Sequence, residues 1–411
     1  MTHSSSPVVS DLSIRRLTSL ESINPEEWNG LVNTDNPFLT YEFLHGLEEH
    51  DCLQGQGWTP CHFAVYSNNI LVGALPLYIK TNSYGEFVFD WLWADAYQRA
   101  GGYYYPKLVS AIPFTPVRGP RLLINDTFPD SSAVKNLLLD EIIETTKTTG
   151  MSSFHCLFPE QTDQAFYLQH NLLSRKGVQF HWHNRGYSDF DDFLGSLTSK
   201  KRKKIKRERR QVNEQGIEIE ILTGSQINTV QWKIFYEFYC STFYRRWGSP
   251  RLTYDFFLSL SEKLPDQTLL ILARHKREYV AGAFAMLGGG TLYGRHWGCS
   301  NQYPYLHFEL CYYQTIEYCI RHGLDTVDAG VQGEHKLSRG FQPVATCSYH
   351  WIQHPDFMQA VKNFLDREKV EIDAYIEALN RHLPFKRRRQ GNVKSKDNSD
   401  YLITHDHNDS G

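Results

Sequence analysis

Between Thr291 and Phe341 the chain reads TLYGRHWGCSNQYPYLHFELCYYQTIEYCIRHGLDTVDAGVQGEHKLSRGF. This one stretch carries Arg295, His296, His307, Glu309, Asp328, Gln332, Glu334, His335, Lys336 and Arg339, set among Tyr293, Trp297 and many other aromatic residues. A segment that only filled a core would not hold so many charges. A solvated loop would not hold so many aromatic rings. The mixture describes a half-buried pocket wall whose polar groups act on something held inside.

The chemistry on offer is proton transfer beside an anion-holding surface. Glu309 is a candidate base, since burial favours the neutral form of a carboxylate; the plainer alternative is a solvated acid in the first turn of a helix. His307 sits two residues away and points to a different side. Glu334 and His335 follow a strand and a Gly-x-x-Gly turn, where α/β proteins place sites, and either could move a proton. Gly333 allows close backbone approach. Lys336 and Arg339 could hold a phosphate or carboxylate, and Gln332 opens the same loop; the alternative is a surface loop with local ion pairs. Tyr293, Arg295 and His296 belong to one strand, with Arg295 either on the pocket face or paired to Asp328. There is no H-E-x-x-H and no paired-cysteine motif, so no metal site is expected.

Regular elements must position these groups. Asn24-Pro25-Glu26 starts a helix and Thr40 caps a second. Pro60–Tyr66 and Ile70–Tyr78 read as strands around the turn Ser67-Asn68-Asn69. Phe87–Trp93 reads as another strand, and 96–109 as an aromatic, glycine-rich loop leading into a helix. Ala133–Thr149 and Gln164–Leu173 read as helices around a short strand at Ser153–Leu157. A second cycle follows: aromatic helices at Trp232–Tyr244 and Thr253–Leu264, then strands at Leu269–Ala273 and Tyr279–Leu287. CHFAVYSNNILVGALPLY and LLILARHKREYVAGAFAML share the plan of strand, polar turn, V-x-G or V-A-G-A, strand. This internal echo predicts two copies of one α/β unit. In the second copy a helix starts near Tyr305 and ends before Gly323; a strand at Thr326–Ala329, a strand at Ala345–Trp351 and a long helix at Asp356–Leu379 follow.

Bulk properties exclude several classes. A chain of 411 residues with formal net charge −3 is globular, long enough for two domains, and not globally basic. No apolar run of about 18 residues is present, so no transmembrane helix is expected. The N-terminal residues lack an apolar core behind a basic start, so they do not read as a signal peptide. Eight scattered cysteines read as reduced thiols of a cytoplasmic protein.

TLYGRHWG, LHFELCYYQTIEYCI and GVQGEHKLSRGFQP, with NPFLTYEFLHGLE, GGYYYPKL and TPVRGPRL, resemble the FemAB-like group of N-acyltransferases associated with peptidoglycan biosynthesis or recognition. The resemblance covers roughly Asn36 to Glu368. It implies an α/β fold of two tandem acyl-CoA N-acyltransferase (GNAT-like) domains, each with a mixed sheet flanked by helices. With the internal echo, this divides the chain into a disordered start (1–12), a first unit (13–180), a second unit (181–385) and a disordered tail (386–411). The usual acyl-CoA loop, Q/R-x-x-G-x-G/A before a helix, is absent between Leu287 and Leu306.

Residues 199–212, SKKRKKIKRERRQV, hold nine Lys or Arg and one acid, Glu208, and read as a single helix within the second unit. Such a helix would release counterions on binding RNA, could meet an anionic membrane surface, or could simply be solvated. Three functions follow. The chain transfers an acyl or aminoacyl group to a small-molecule or peptide amine, with acyl-CoA as a possible co-substrate and no permanently bound cofactor. Alternatively it takes its donor from aminoacyl-tRNA. Alternatively it recognises peptidoglycan precursors without chemistry.

Overall fold

The structure is a computed structural model that describes residues 11–245, 248–331 and 333–386. Its first half runs β1 (Leu12–Leu17), α1 (Pro25–Asn29), α2 (Tyr41–Glu49), β2 (Trp58–Pro60), β3 (His62–Ser67), β4 (Ile70–Leu75), β5 (Tyr78–Lys80), α3 (Trp91–Arg99), β6 (Lys107–Ser110), β7 (Leu123–Ile124), α4 (Ser131–Thr148), β8 (Ser153–Leu157), α5 (Gln164–Gln169) and β9 (Leu173–His183). Its second half runs α6 (Phe190–Ser196), α7 (Ser199–Glu214), β10 (Ile217–Thr223), α8 (Thr229–Tyr244), α9 (Tyr254–Lys263), β11 (Thr268–His275), β12 (Glu278–Gly288), β13 (Thr291–Cys299), α10 (Leu306–Phe308), α11 (Gln314–Arg321), β14 (Thr326–Asp328), β15 (Gln342–Ile352) and α12 (Pro355–Arg381). This is the expected mixed α/β architecture, with open sheets flanked by helices.

The echo seen in the sequence is an echo of backbone geometry. The β3–β4 hairpin turns on Asn68 and Asn69, and the β11–β12 hairpin on Lys276 and Arg277; all four have positive φ. A two-residue turn between right-twisted strands requires that conformation. Each hairpin also shifts register once, at Val65/Tyr66 and at Ala273/Arg274.

One sheet of eleven strands runs through both halves, in the order β10-β11-β12-β13-β14-β9-β15-β8-β6-β5-β2. The last strand of each half lies against the other half. Strand β9 pairs with β14, and β15 inserts between β9 and β8. The β9–β15 ladder is antiparallel from Gln342↔His181 to His350↔Leu173, and a one-residue slip would turn every side chain to the wrong face. Strand β9 itself spans residue 180. A smaller sheet, β1-β3-β4-β7, belongs to the first half.

The aromatic helices α8 and α9 pack on β12 through Trp232, Phe235, Phe257 and Phe284. In α7, Ile205, Glu208 and Val212 are buried, a stripe at helical spacing on an otherwise cationic helix. Three sequence expectations fail. Phe87–Trp93 is not a strand, because Trp91 opens α3 and Trp93 faces the core. Residues 96–109 finish that helix and end in strand β6 rather than entering a helix. Leu12, expected in a disordered start, begins β1 and pairs with Ser67. The expected tail lies almost wholly outside the described residues.

Candidate functional site

The site begins where two parallel strands part. Strand β13 pairs with β14 only from Thr291 to Tyr293, opposite Thr326 to Asp328. Beyond Tyr293, β13 continues beside β12 alone, while the other chain turns away at Ala329. The gap opens at the carboxyl ends of parallel strands, where open α/β sheets bind ligands. It holds a cleft of about 640 Å³, lined by Gly294–Trp297 on one side and Ala329–Val331, His335 and Lys336 on the other. Residues Ser83–Gly85, Phe87, Phe89, Trp91, Phe114 and Pro116 of the first half close it opposite. A groove of about 840 Å³ under α12 is larger, but it contains none of the residues marked by the sequence.

Arg295 enters the cleft through a bulge: Phe284 faces His296 and Ala285 faces Gly294, which leaves Arg295 without a cross-strand partner. A bulge re-aims the extra side chain. The guanidinium donates from Nη2 to the carbonyl of Phe114 at 2.7 Å and has no carboxylate in contact among the described residues. Desolvation pushes its pKa down to about 10, against the pull of Asp328. Asp328 instead accepts from the Gly330 amide at 2.8 Å. His296 lies against Tyr239 and over Phe284, and burial keeps it neutral. Tyr293 packs on Phe38 and does not line the cleft.

The helical stretch 306–321 contains a π-type turn at Glu309–Tyr313, an irregularity common at functional sites. His307, Cys311 and Tyr312 line the cleft. Glu309 and Tyr313, four residues apart on another face, turn to α7. His307 packs on Trp297 and Tyr312, and desolvation, with His335 and Arg339 adding to it, pushes it down to about 4. The Tyr312 hydroxyl lies 2.9 Å from Nε2 of His335. Desolvation and the nearby Arg339 and Lys336 hold that imidazole below its usual value.

Gly333 has φ of 109°, and a Cβ there would meet the His335 ring at 2.5 Å. Lys336 is buried and donates to the carbonyls of Ala329 and Gly330. Desolvation lowers its pKa to about 8, with Asp328 opposing.

Three sequence candidates stand elsewhere. Glu309 is buried, but its Oε1 accepts from Arg209 Nε at 3.0 Å and from Gln314 at 2.7 Å. Glu334 is exposed and accepts from the Tyr375 hydroxyl at 2.6 Å. Arg339 donates to Tyr313 and Glu208 and stacks over Phe308 at 3.5 Å. Gln332 lies outside the described residues. Among the described residues no group of three His, Cys, Asp or Glu is placed to hold a metal ion.

The sequence did not mark Tyr312, Arg251 or the first-half wall. Tyr312 stood in the marked stretch but shares its type with its neighbour Tyr313. Arg251 follows Ser249-Pro250 in a loop and carries no local signal; it lies over the Phe114 ring at 5.5 Å, and desolvation lowers its pKa. Among the described residues the cleft is lined by Arg251, Arg295, Lys336 and three histidines, and by no Asp or Glu.

The FemAB-like family, described as peptidoglycan biosynthesis/recognition, matches residues 19–387. Among solved structures, FemX is similar at 12% identity and a TM-score of 0.51, over 85% of this chain and 100% of that one. L-PGS from Bacillus licheniformis matches at 12% identity and 0.48, over 84% and 97%. A tandem GNAT protein from the clavulanic acid biosynthesis pathway matches at 10% and 0.44, over 84% and 99%. No curated protein matches by sequence.

Proposed function

This chain belongs to the FemAB-like family, and on that premise we propose that it is an N-acyltransferase working in the β13–β14 cleft. One observation carries the reading. A tyrosine hydroxyl sits 2.9 Å from a neutral imidazole, in a cleft with three Lys or Arg and no acid among the described residues. Acyl transfer to an amine needs a proton acceptor for the amine and a donor for the carbonyl oxyanion. His335 is the proton acceptor, directly or through Tyr312. Lys336, fixed by two carbonyls beside the gap, faces the developing oxyanion. Arg251 and Arg295 hold an anionic group of donor or acceptor, because desolvated guanidinium groups without a carboxylate favour a bound anion.

In the reaction a C–N bond forms and the C–S or C–O bond of the donor breaks. The amine proton passes to His335 and returns to the leaving thiolate or alkoxide. No covalent enzyme intermediate is required. Acyl-CoA is the first donor to test, as a co-substrate rather than a permanent cofactor, and the acceptor is a small-molecule or peptide amine of peptidoglycan chemistry. The eight cysteines are free thiols, which supports a cytoplasmic setting.

A second reading, with aminoacyl-tRNA as donor, is favoured by α7. Lys200, Lys201, Arg202, Lys203 and Arg207 have no ion-pair partner among the described residues, whereas Lys204, Lys206, Arg209 and Arg210 are paired.

Thermal stability against coenzyme A, acyl-CoAs and bulk tRNA separates the readings, since a ligand of the native state raises the midpoint by mass action. A shift with acyl-CoA, lost in Arg295→Met, supports the thioester. A salt-sensitive shift with tRNA alone supports the second reading. Saturable binding of a peptidoglycan precursor, with no product from either donor class, makes the protein a binding module.

A further inference from the structure

Half of the large hydrophobic side chains standing exposed among the described residues come from one short segment. Tyr84, Phe89, Trp91, Leu92 and Tyr103 are 59, 50, 39, 68 and 89% exposed; only five others are comparable. Tyr84, Phe89 and Trp91 also line the mouth of the cleft, with the Tyr84 and Trp91 rings 4.9 Å apart.

This exposure is held in place. The Lys107 ammonium, fully buried, donates to Ser83 Oγ at 2.9 Å, to Glu86 Oε2 at 2.8 Å and to Asp90 Oδ2 at 2.5 Å. Three anchors on one cation hold the chain from 83 to 90 so that Phe87 and Val88 pack against the core while Tyr84 and Phe89 stay exposed. Arg175 pins the Phe89 carbonyl from the other side at 2.8 Å. One turn into α3, Trp93 points into the core against His350, which leaves Trp91 and Leu92 in water. A buried ion pair contributes little net stability, and its best use is to define geometry. Here it defines an apolar surface turned to solvent.

Exposed aromatic side chains gathered at the mouth of a site, as Tyr84, Phe89 and Trp91 are here, mark an interaction surface. Trp and Tyr beside Phe and Leu are the side chains of the membrane–water boundary. Behind the rim the cleft presents Arg251, Arg295 and Lys336 and no acid. An apolar rim in front of a cationic interior complements an anionic amphiphile. A sugar chain is the other partner aromatic rings attract. A neutral sugar chain gives the three cations of this cleft no anion to pair with, and no Asp or Glu lines it to accept from sugar hydroxyls among the described residues.

We infer that the segment from Tyr84 to Tyr103 docks on the surface of an anionic lipid bilayer, with Phe89, Trp91 and Leu92 at the headgroup–acyl boundary and the cleft mouth turned toward the lipid. Among the described residues no helix is long and apolar enough to cross a membrane, so the docking is interfacial and reversible. It does not depend on the transferase reading.

The test is sedimentation of the full chain with vesicles of phosphatidylcholine alone and of phosphatidylcholine with phosphatidylglycerol. The protein is expected to pellet with the anionic vesicles, and Phe89→Ser with Leu92→Asp to lower the bound fraction at least about tenfold without moving the thermal midpoint. Tyr103→Ser, in a loop, gives a smaller loss and serves if the double variant fails to fold. No sedimentation with anionic vesicles, or equal sedimentation of every variant, overturns the inference. Binding that survives these changes but is lost on charge reversal in α7 overturns it in favour of that helix. A tryptophan fluorescence change with soluble N-acetylglucosamine oligomers, absent in the double variant and without vesicle binding, overturns it in favour of a glycan.

Discussion

Glu208, the one acid between Lys200 and Val212, accepts from Arg339 Nη2 at 3.2 Å on Oε1 and at 3.0 Å on Oε2. Both side chains are buried, and the Tyr313 hydroxyl joins the same carboxylate. Helix α7 is thereby fastened to the turn that carries His335 and Lys336. Truncating one partner of a buried pair strands the other charge, so Glu208→Ala is expected to cost about 3–5 kcal/mol in denaturant unfolding. The double change Glu208→Met with Arg339→Met should cost clearly less than the sum of the single changes. Additive losses would show that the two residues do not act as a pair.

Lys336→Met removes the cation beside the strand gap. With the acyl donor identified, turnover should fall about 10²–10³-fold, as for loss of one oxyanion donor, while the far-ultraviolet spectrum stays the same. Unchanged turnover would take Lys336 out of the reaction.

The pH profile follows from the directions of two shifts. His335 is held below its usual value, so activity rises with pH through a midpoint below about 6.5. Lys336 loses its charge near about 8, so activity declines above that. His335→Gln should remove the acid limb, and Lys336→Met the alkaline limb. An acid limb that persists in His335→Gln, or an alkaline limb that persists in Lys336→Met, would contradict the assignment concerned.

Charge reversal at Lys200, Lys203 and Arg207 leaves the paired and buried side of α7 untouched. If tRNA is the donor, these changes should weaken its binding and flatten the salt dependence by roughly one unit of slope for each phosphate no longer neutralised. Filter binding at several salt concentrations gives the slope. Equal slopes for the variant and the wild type would leave α7 a solvated helix.

Gly298 is a packing position. A Cβ there would meet the Phe238 carbonyl oxygen of α8 at 2.0 Å. Gly298→Ala should therefore destabilise by about 1–3 kcal/mol, read as a fall in the denaturant midpoint, because helix and strand must move apart.

By itself the sequence determined the mixed α/β architecture, the duplicated hairpin and the stretch that builds one cleft wall. Hydrophobic periodicity and turn residues are local, and Asn68-Asn69 or the Gly that ends a helix can be read without knowing the neighbours. Arg295, His296, His307, His335 and Lys336 meet at the cleft because the strand, helix and loop that carry them are consecutive. Which polar residues stay free was decided only by the tertiary structure. Glu309 and Arg339 look as available as Lys336 until α7, about a hundred residues away in the chain, brings Arg209 and Glu208 against them. Glu334 is taken by Tyr375 of α12. The opposite wall, from Ser83 to Pro116, carries no local sign of its role, because the shared eleven-stranded sheet alone brings it to the gap between β13 and β14. Charge partners and cleft walls are long-range relations, and periodicity along a chain does not encode them.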